Sequence, residues 1–254
     1  MLYAAVDLGG SSGRVTVGQL AGDKIVLTEV HRFKHEPVQN SDGLFWDWQF
    51  IIEQVKSGLL AATKLGEVVS VGVDSWAVDY GLIDKAGDVI GQPHCYRDGR
   101  TDGVMAKLKQ DLGVDYIYGK TGIQFIFFNT MYQLFVEKNT AAYQKADKLL
   151  MVPDLINYLL CGSIGTEITN ASTTQLLNVH TRDWDWELIE KLGIKKELFP
   201  KINKPGQQMG VVTGHGKLDG IKVISVGSHD TASAVAGTPL PVAGTAAYIS
   251  SGTW

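Results

Sequence analysis

The residue types that could bind phosphate come early in the chain. Asp7 ends an apolar run, and a turn of glycines and serines follows at residues 9–13. Glycines let an anion approach backbone N–H groups, and a carboxylate beside such a turn could hold a metal-bound polyphosphate. The alternative is an ordinary hairpin, in which Gly/Ser turns are routine. The turn matches neither Gly-x-x-x-x-Gly-Lys-Ser/Thr nor Gly-x-Gly-x-x-Gly, so it is no P-loop and gives no support to a dinucleotide site.

Two stretches near the other end of the chain could serve the same chemistry. The apolar residues 222–226 predict a buried strand, and a small-residue helix follows, with Ser228 as its expected N-cap and Asp230 in its first turn. Asp230 could act on a ligand or simply complement the helix dipole. Residues 246–249 predict a further strand that ends in a Ser/Gly/Thr turn, which could close on the same phosphate chain.

A third candidate stretch follows the β-branched run at 68–73, which is typical of a buried parallel strand. Ligands of open α/β sheets gather beyond the carboxyl ends of strands. This rule places Ser75, Trp76 and Asp79 where a ligand would lie. The alternative is that Asp74 and Asp79 form turns and that Trp76 packs in the core.

The elements that would position these residues are those of an α/β protein. Apolar periodicity predicts strands over 3–8, 14–20, 24–33 and 78–83, helices over 49–65, 104–112 and 184–192, and mostly helix over 130–160. Residues 34–43 are predicted to be irregular, and residues 201–220 to be rich in loops. The alternation of strands and helices favours a sheet flanked by helices.

Composition excludes several classes of protein. The 254 residues are 44% hydrophobic and 20% charged, as in a soluble globular chain, and the net charge of −4 with no basic stripe argues against a nucleic-acid partner. No apolar stretch is long enough to cross a bilayer, and the apolar start lacks a basic leader. Cys95 and Cys161 form neither a metal motif nor a disulfide framework, so we expect a reducing, cytoplasmic compartment.

Seven segments, in order along the whole chain, resemble the FGGY family of carbohydrate kinases. They are residues 7–14, 74–79, 96–98 with Arg100, 128–134, 169–177, 228–235 and 248–254. The resemblance implies an actin-like ATPase fold: two RNase H-like domains, each a mixed sheet flanked by helices, with ATP and sugar in the cleft. Residues 1–254 would form the N-terminal, sugar-binding and phosphate-binding domain. The C-terminal, adenosine-binding domain would be missing, so full activity from this polypeptide alone is not expected.

The resemblance also implies roles for individual residues. Asp230 would be the general base that takes the proton of the attacking sugar hydroxyl. The sugar would be contacted by His229, Thr231 and the backbone of Ala77. Asp7 would orient Mg²⁺ through water. The ATP phosphates would be bound by Gly10, Ser11, Ser12, Gly13, Arg14 and Thr253.

Two of these positions depart from the family pattern. Gly10 stands where relatives commonly have Ala, and Ala77 where many have Gly. Because one small residue replaces another in both cases, we expect the loop paths to survive.

The implied reaction is ATP-dependent phosphorylation of L-rhamnulose to L-rhamnulose 1-phosphate, a step of L-rhamnose catabolism, because the segments resemble the rhamnulose-phosphorylating members of the family. One alternative keeps the fold and changes the substrate to xylulose, fuculose or another polyol. Another is a sugar-binding module without catalysis. The expected partners are the sugar and Mg-ATP, with no nucleic acid and no membrane.

Overall fold

The computed structural model describes residues 1–239 and 244–250. The strands are β1 (Leu2–Leu8), β2 (Ser12–Ala21), β3 (Lys24–Lys34), β4 (Pro37–Asn40), β5 (Gly43–Trp46), β6 (Val68–Ser75), β7 (Tyr80–Asp84), β8 (Val89–Ile90), β9 (Ala146–Met151), β10 (Thr166–Glu167), β11 (Ile202–Asn203), β12 (Gln208–Val211) and β13 (Lys222–Ile224). The α-helices are α1 (Trp48–Thr63), α2 (Val104–Leu112), α3 (Val114–Thr121), α4 (Thr130–Glu137), α5 (Ala141–Lys145), α6 (Val152–Cys161), α7 (Ile168–Thr173), α8 (Trp186–Lys191) and α9 (Asp230–Gly237). None of the described helices is both long and apolar enough to cross a membrane.

A six-stranded mixed sheet forms the centre of the fold, in the order β12-β13-β6-β1-β2-β3. Strands β1, β6 and β13 run parallel, whereas β1-β2-β3 and β12-β13 are antiparallel. Alternate side chains of β1 are buried, as the period of a strand requires. The predicted strands over 3–8, 14–20 and 24–33 are therefore confirmed, and so is the predicted mixed sheet.

Helix α1 covers one face of this sheet and confirms the helix predicted over 49–65. Asp47 caps it by accepting a hydrogen bond of 3.1 Å from the N–H of Phe50. The helix buries Ile51, Val55 and Leu59. Gly58 allows the close approach to β2, since a Cβ there would lie 2.3 Å from Cγ2 of Val15.

A second hydrophobic cluster lies around the sheet β8-β7-β9 and includes Tyr132, Leu149 and Trp184. The prediction of mostly helix over 130–160 is confirmed by α4, α5 and α6, but Ala146–Met151 within this range is strand β9. That segment has no β-branched residue to mark it as a strand. Its pairing with β7, for example Leu149 opposite Leu82, overrides the local helical preference.

Two other local predictions are wrong. Residues 34–43 are not irregular throughout, because β4 pairs with β5 in a short hairpin. The strand predicted over 246–249 does not form in the described segment 244–250. Its apolar side chains find no sheet face to cover, and Ile249 is 92% exposed.

Candidate active site at the strand ends

A cleft of about 420 Å³ lies where the carboxyl ends of β1 and β6 meet the start of α9. Its lining is mostly polar and consists of Asp7, Gly10, Arg14, Asp74, Trp76, Tyr96, His229, Asp230, Thr231, Ser233, Ala234 and Ser250. Seven residues predicted for the site are in this list: Asp7, Gly10, Arg14, Trp76, His229, Asp230 and Thr231. Ser75 and Asp79, which the strand-end rule also placed near a ligand, do not line the cleft. Residues more than 200 positions apart in sequence therefore share one cavity.

The register of the parallel strands places two carboxylates side by side. Asp7 of β1 lies directly opposite Asp74 of β6. Arg14 turns back from β2 and donates to Oδ2 of Asp7 at 2.6 Å from both Nε and Nη2. Because the Arg14 side chain is half exposed, its guanidinium lies at the mouth of the cleft beside the carboxylate.

The turn between β1 and β2 is closed by a residue that the sequence did not indicate. The N–H of Gly9 donates to the carbonyl of Ser12 at 2.8 Å, and the N–H of His35 donates to the carbonyl of Ser11 at 3.1 Å. Nε2 of His35 lies 2.9 Å from the carbonyl of Gly9, so this nitrogen carries the proton. Burial lowers the pKa of His35, which keeps the ring neutral and the turn fixed.

Two of the three glycines at residues 9–13 differ in their reason for being small. Gly13 belongs to β2, and a Cβ there would lie 2.4 Å from Cζ of Phe33 and 2.7 Å from Cδ2 of Leu8. A Cβ on Gly10 would meet only side-chain ends, at 3.0 Å from the hydroxyl of Tyr96. Gly13 is thus required by packing, and Gly10 lines the cleft. Ser11, Ser12 and Gly13 do not line it.

Helix α9 begins at Asp230, and its N-cap position is His229, so the expected cap at Ser228 is wrong. The hydroxyl of Ser228 is already committed, because it donates to the buried carboxylate of Glu167 at 3.0 Å. Oδ1 of Asp230 accepts from the N–H of Thr231 at 2.5 Å and lies 3.4 Å from Nε2 of His229. Burial lowers the pKa of His229, with the charge of Asp230 acting in the opposite direction.

Three carboxylates give the cleft its electrostatic character. Burial raises the pKa of Asp74 to about 8, and the charges of Asp7 and Asp230 add to the effect. The cleft therefore favours a proton or a cation among these groups. Turn formation by Asp74 was one of the alternatives open from the sequence, and its place beside Asp7 in the sheet identifies it as a cleft residue.

The segment after β6 contains a strained turn. Val78 has φ +68°, rare for a β-branched residue, and the N–H of Asp79 donates to the carbonyl of Ala77 at 2.9 Å. The hydroxyl of Thr130 donates to the carbonyl of Val78 at 2.7 Å, and the N–H of Val78 donates to the hydroxyl oxygen of Thr173 at 3.3 Å. Ala77 is completely buried and does not line the cleft, so its contact with sugar stays a prediction.

Asp79 is buried and orients the aromatic wall of the cleft. Its Oδ2 accepts from Nε1 of Trp46 at 2.7 Å, from Nε1 of Trp76 at 3.0 Å and from the N–H of Tyr96 at 3.1 Å. Oδ1 accepts from Nε2 of Gln133 at 3.0 Å. Burial raises the pKa of Asp79 to about 6, although all four donors act to lower it. Asp79 therefore belongs to the supporting structure and does not line the cleft.

One predicted residue lies outside the described part of the chain. Thr253 falls beyond residue 250, so its contact with phosphate stays a prediction. Ser250, at the end of the described segment, does line the cleft.

Comparison with known proteins identifies the relatives of this chain. A sequence model described as "FGGY family of carbohydrate kinases, N-terminal domain" matches residues 2–237. The chain is 44% identical to a rhamnulokinase of Mannheimia succiniciproducens over 256 residues, covering 99% of this chain and 52% of that protein. It is 44% identical to a rhamnulokinase of Bacillus subtilis over 259 residues, covering 100% and 53%. The chain thus spans about half the length of the curated relatives it matches.

Solved structures of sugar kinases share the fold. A xylulose kinase of Lactobacillus acidophilus superimposes with a TM-score of 0.80 at 22% identity, covering 90% of this chain and 48% of that one. A glycerol kinase of Plasmodium falciparum gives 0.74 at 18% identity, covering 89% and 48%. These neighbours confirm the predicted α/β fold class, the fold of one half of such a kinase.

Proposed function

We propose that this chain, which belongs to the FGGY family of carbohydrate kinases, forms the sugar-binding and phosphate-binding half of an ATP-dependent L-rhamnulose kinase. The observation that carries the substrate is the 44% identity to rhamnulokinases along essentially the whole chain. The structural neighbours that are xylulose, gluconate or glycerol kinases reach only 22% identity or less and support the fold alone. The kinase would act in the cytoplasm.

Asp230 is the proposed general base. It heads α9 at the cleft and its side chain is 40% exposed, within reach of a ligand. The N–H and hydroxyl of Thr231 donate to Oδ1, and Nε2 of His229 lies 3.4 Å from the same oxygen. Oδ2 is therefore left for the attacking hydroxyl of the sugar. As the new O–P bond forms and the bond to the leaving ADP breaks, the hydroxyl proton passes to Asp230. Such a base is effective because the proton leaves late, when the hydroxyl has become acidic.

The phosphate end of the ATP site is assigned to the turn between β1 and β2. Gly10 and Arg14 line the cleft, and Arg14 offers a half-exposed guanidinium that can bind two phosphate oxygens. The other residues proposed for this role are Ser11, Ser12, Gly13 and Thr253. ATP is the phosphoryl donor that membership of the kinase family implies.

The residues at the cleft fit a magnesium ion that arrives with the nucleotide. Asp7 is one-third exposed and lies beside Asp74, and Mg²⁺ is commonly held by one or two carboxylates together with substrate phosphates. Within the described ranges no cluster of three or more His, Cys, Asp or Glu residues forms a complete metal site. When bound, the ion would neutralise charge on the phosphates. Asp7 would orient it, with the Asp7–Arg14 pair opening to admit it.

A second candidate function is sugar binding without phosphoryl transfer by these 254 residues alone. The observation that favours it is length, because the chain covers only 52–53% of the first curated relatives. Both functions require the same cleft. They differ in whether ATP is consumed.

The test is a substrate panel. The complete natural protein that contains this chain is assayed with Mg-ATP and L-rhamnulose, L-fuculose or D-xylulose. We expect the highest kcat/KM with L-rhamnulose, and a higher value with either other ketose would reject the proposed substrate. Calorimetric titration of the 254-residue chain with L-rhamnulose and then Mg-ATP tests the second candidate. We expect sugar binding with negligible turnover, and rapid turnover by this chain alone would exclude a non-catalytic module.

A further inference from the structure

We propose that Glu167 is a positioning residue for Asp230, which it holds directly through Ser228 and, by way of Thr169, through His229. This inference rests on the proposed role of Asp230 in sugar phosphorylation. Glu167 ends β10, a two-residue strand, and lies 63 positions before Asp230 in the chain. Its side chain is 1% exposed and does not line the cleft, so it can act only through its neighbours.

One oxygen of Glu167 collects donors from two separate segments. From the segment before α9, Oε2 accepts from the N–H of Ser228 at 2.9 Å and from its hydroxyl at 3.0 Å. From the start of α7, it accepts from the N–H of Thr169 at 3.0 Å and of Asn170 at 3.3 Å, and from the hydroxyl of Thr169. Five donors from two segments thus converge on one buried oxygen, so Glu167 links the segment before α9 to the start of α7.

The start of α7, which Glu167 itself holds, also contacts the same segment. The hydroxyl oxygen of Thr169 accepts from the N–H of His229 at 3.2 Å, and Nδ2 of Asn170 donates to the carbonyl of Ser228 at 3.3 Å. On the opposite side, the N–H of Ser75 donates to that carbonyl at 2.9 Å. The backbone on which Asp230 stands is therefore fixed between α7 and the end of β6.

Glu167 and α7 are themselves held by contacts outside the central sheet. Strand β10 pairs with β11, with Glu167 opposite Asn203, and the N–H of Glu167 donates to Oδ2 of the buried Asp154 at 3.4 Å. Ala171 of α7 is completely buried in the second hydrophobic cluster. Glu167 thus joins a rigid element of the second cluster to the loop that carries the base.

The same helix also supports the strained turn beside β6. Thr173 accepts from the N–H of Val78, next to Ala77. Both segments predicted to contact the sugar, around Ala77 and around His229, are therefore held by α7. This gives a physical role to the uncharged polar run at 169–175, to whose residues the family resemblance assigned no individual role.

The test compares Glu167→Gln with Glu137→Gln in the 254-residue chain. Glu137 is a matched control, because its buried carboxylate bonds Tyr80 and Arg100 and touches neither Ser228 nor His229. Hydrogen exchange over residues 226–236, without ligand, is measured first. Glu167→Gln should speed exchange there about tenfold or more, which corresponds to about 1.4 kcal/mol. Glu137→Gln should leave this segment within about twofold, whatever it does to overall stability.

The second measurement is the Kd for L-rhamnulose by calorimetry. Glu167→Gln should weaken binding about tenfold, and Glu137→Gln should leave it nearly unchanged. Unchanged exchange over 226–236, or equal acceleration by both variants, would overturn the positioning role. If the wild-type chain fails to bind L-rhamnulose, sugar binding by this chain alone is excluded, the substrate panel on the complete protein decides the proposed function, and the exchange data still decide the role of Glu167. Should Glu167→Gln not fold, Ser228→Ala removes one donor only, and its exchange is expected to rise about threefold.

Discussion

Substitution of Gly13 by Ala tests whether the turn between β1 and β2 is glycine-rich for phosphate or for packing. Gly13 pairs with Leu8 on one side and with Phe33 on the other, so all three residues share one row across the sheet. Their side chains close over the empty position, where a Cβ would lie 2.4 Å from Cζ of Phe33 and 2.7 Å from Cδ2 of Leu8. Carbon atoms pack at about 3.5–4.0 Å, so a movement of roughly 1 Å or more is needed.

Neither neighbour can move freely. Leu8 is completely buried, and the ring of Phe33 packs against His31 and Phe50. Overpacking of this kind costs about 1–3 kcal/mol. At about 2–4 °C per kcal/mol for a chain of this size, a loss of about 2 kcal/mol lowers Tm by roughly 4–8 °C.

Gly10→Ala is the matched control, because its Cβ would meet only the hydroxyl of Tyr96 at 3.0 Å and the end of Arg97 at 3.4 Å. We expect it to cost less than about 1 kcal/mol. The assay is urea unfolding of both variants at pH 7. If Gly13→Ala is as stable as wild type, or if Gly10→Ala loses as much, the packing explanation is refuted.

Two further predictions concern the support beneath the cleft. The pKa of Asp79 is raised to about 6, so the folded state binds the proton of this carboxyl more tightly than the unfolded state does. The stability that this proton contributes is fully present below about pH 4 and is lost as pH rises through 6. Asp79→Asn should remove about 3 kcal/mol of this pH dependence, measured as the free energy of unfolding in urea from pH 4 to 7. If the free energy of unfolding of the variant falls with pH as steeply as that of wild type, the assignment is wrong. Thr130→Val removes the bond of 2.7 Å to the carbonyl of Val78 and should cost about 1–3 kcal/mol. Calorimetry should show weaker L-rhamnulose binding by this variant, and unchanged stability and affinity would contradict the role of the turn.

The central sheet could be predicted because its residues carry their own signals. β1 alternates buried and exposed side chains, and α1 has both a capping aspartate and an apolar stripe. Strand β9 could not be predicted, since Ala146–Met151 becomes a strand only by pairing with β7. The local sequence pattern carries no information about pairing between segments so far apart in the chain.

The candidate site divides in the same way. The resemblance to a family predicted that Asp7 and Asp230 share a cleft, and both line it. A shared fold places matching segments in the same positions, which local sequence patterns cannot do. The supporting residues were missed. His35 and Glu167 act through backbone groups distant in sequence. Ser228 has the residue type of a helix cap, and its bond to Glu167, 61 positions away, could not be seen from the local sequence. No periodicity or spacing reports a contact of that kind.

The most direct test of the account is the turnover of Asp230→Asn in the complete natural protein that contains this chain. With L-rhamnulose and Mg-ATP, loss of the base should lower kcat by about 10²–10⁴-fold while the KM for sugar changes little. Asp23→Asn is the control, because Asp23 lies exposed in the turn between β2 and β3, at the far end of β2 from the cleft. Wild-type kcat in Asp230→Asn would contradict the assignment of Asp230 as the base.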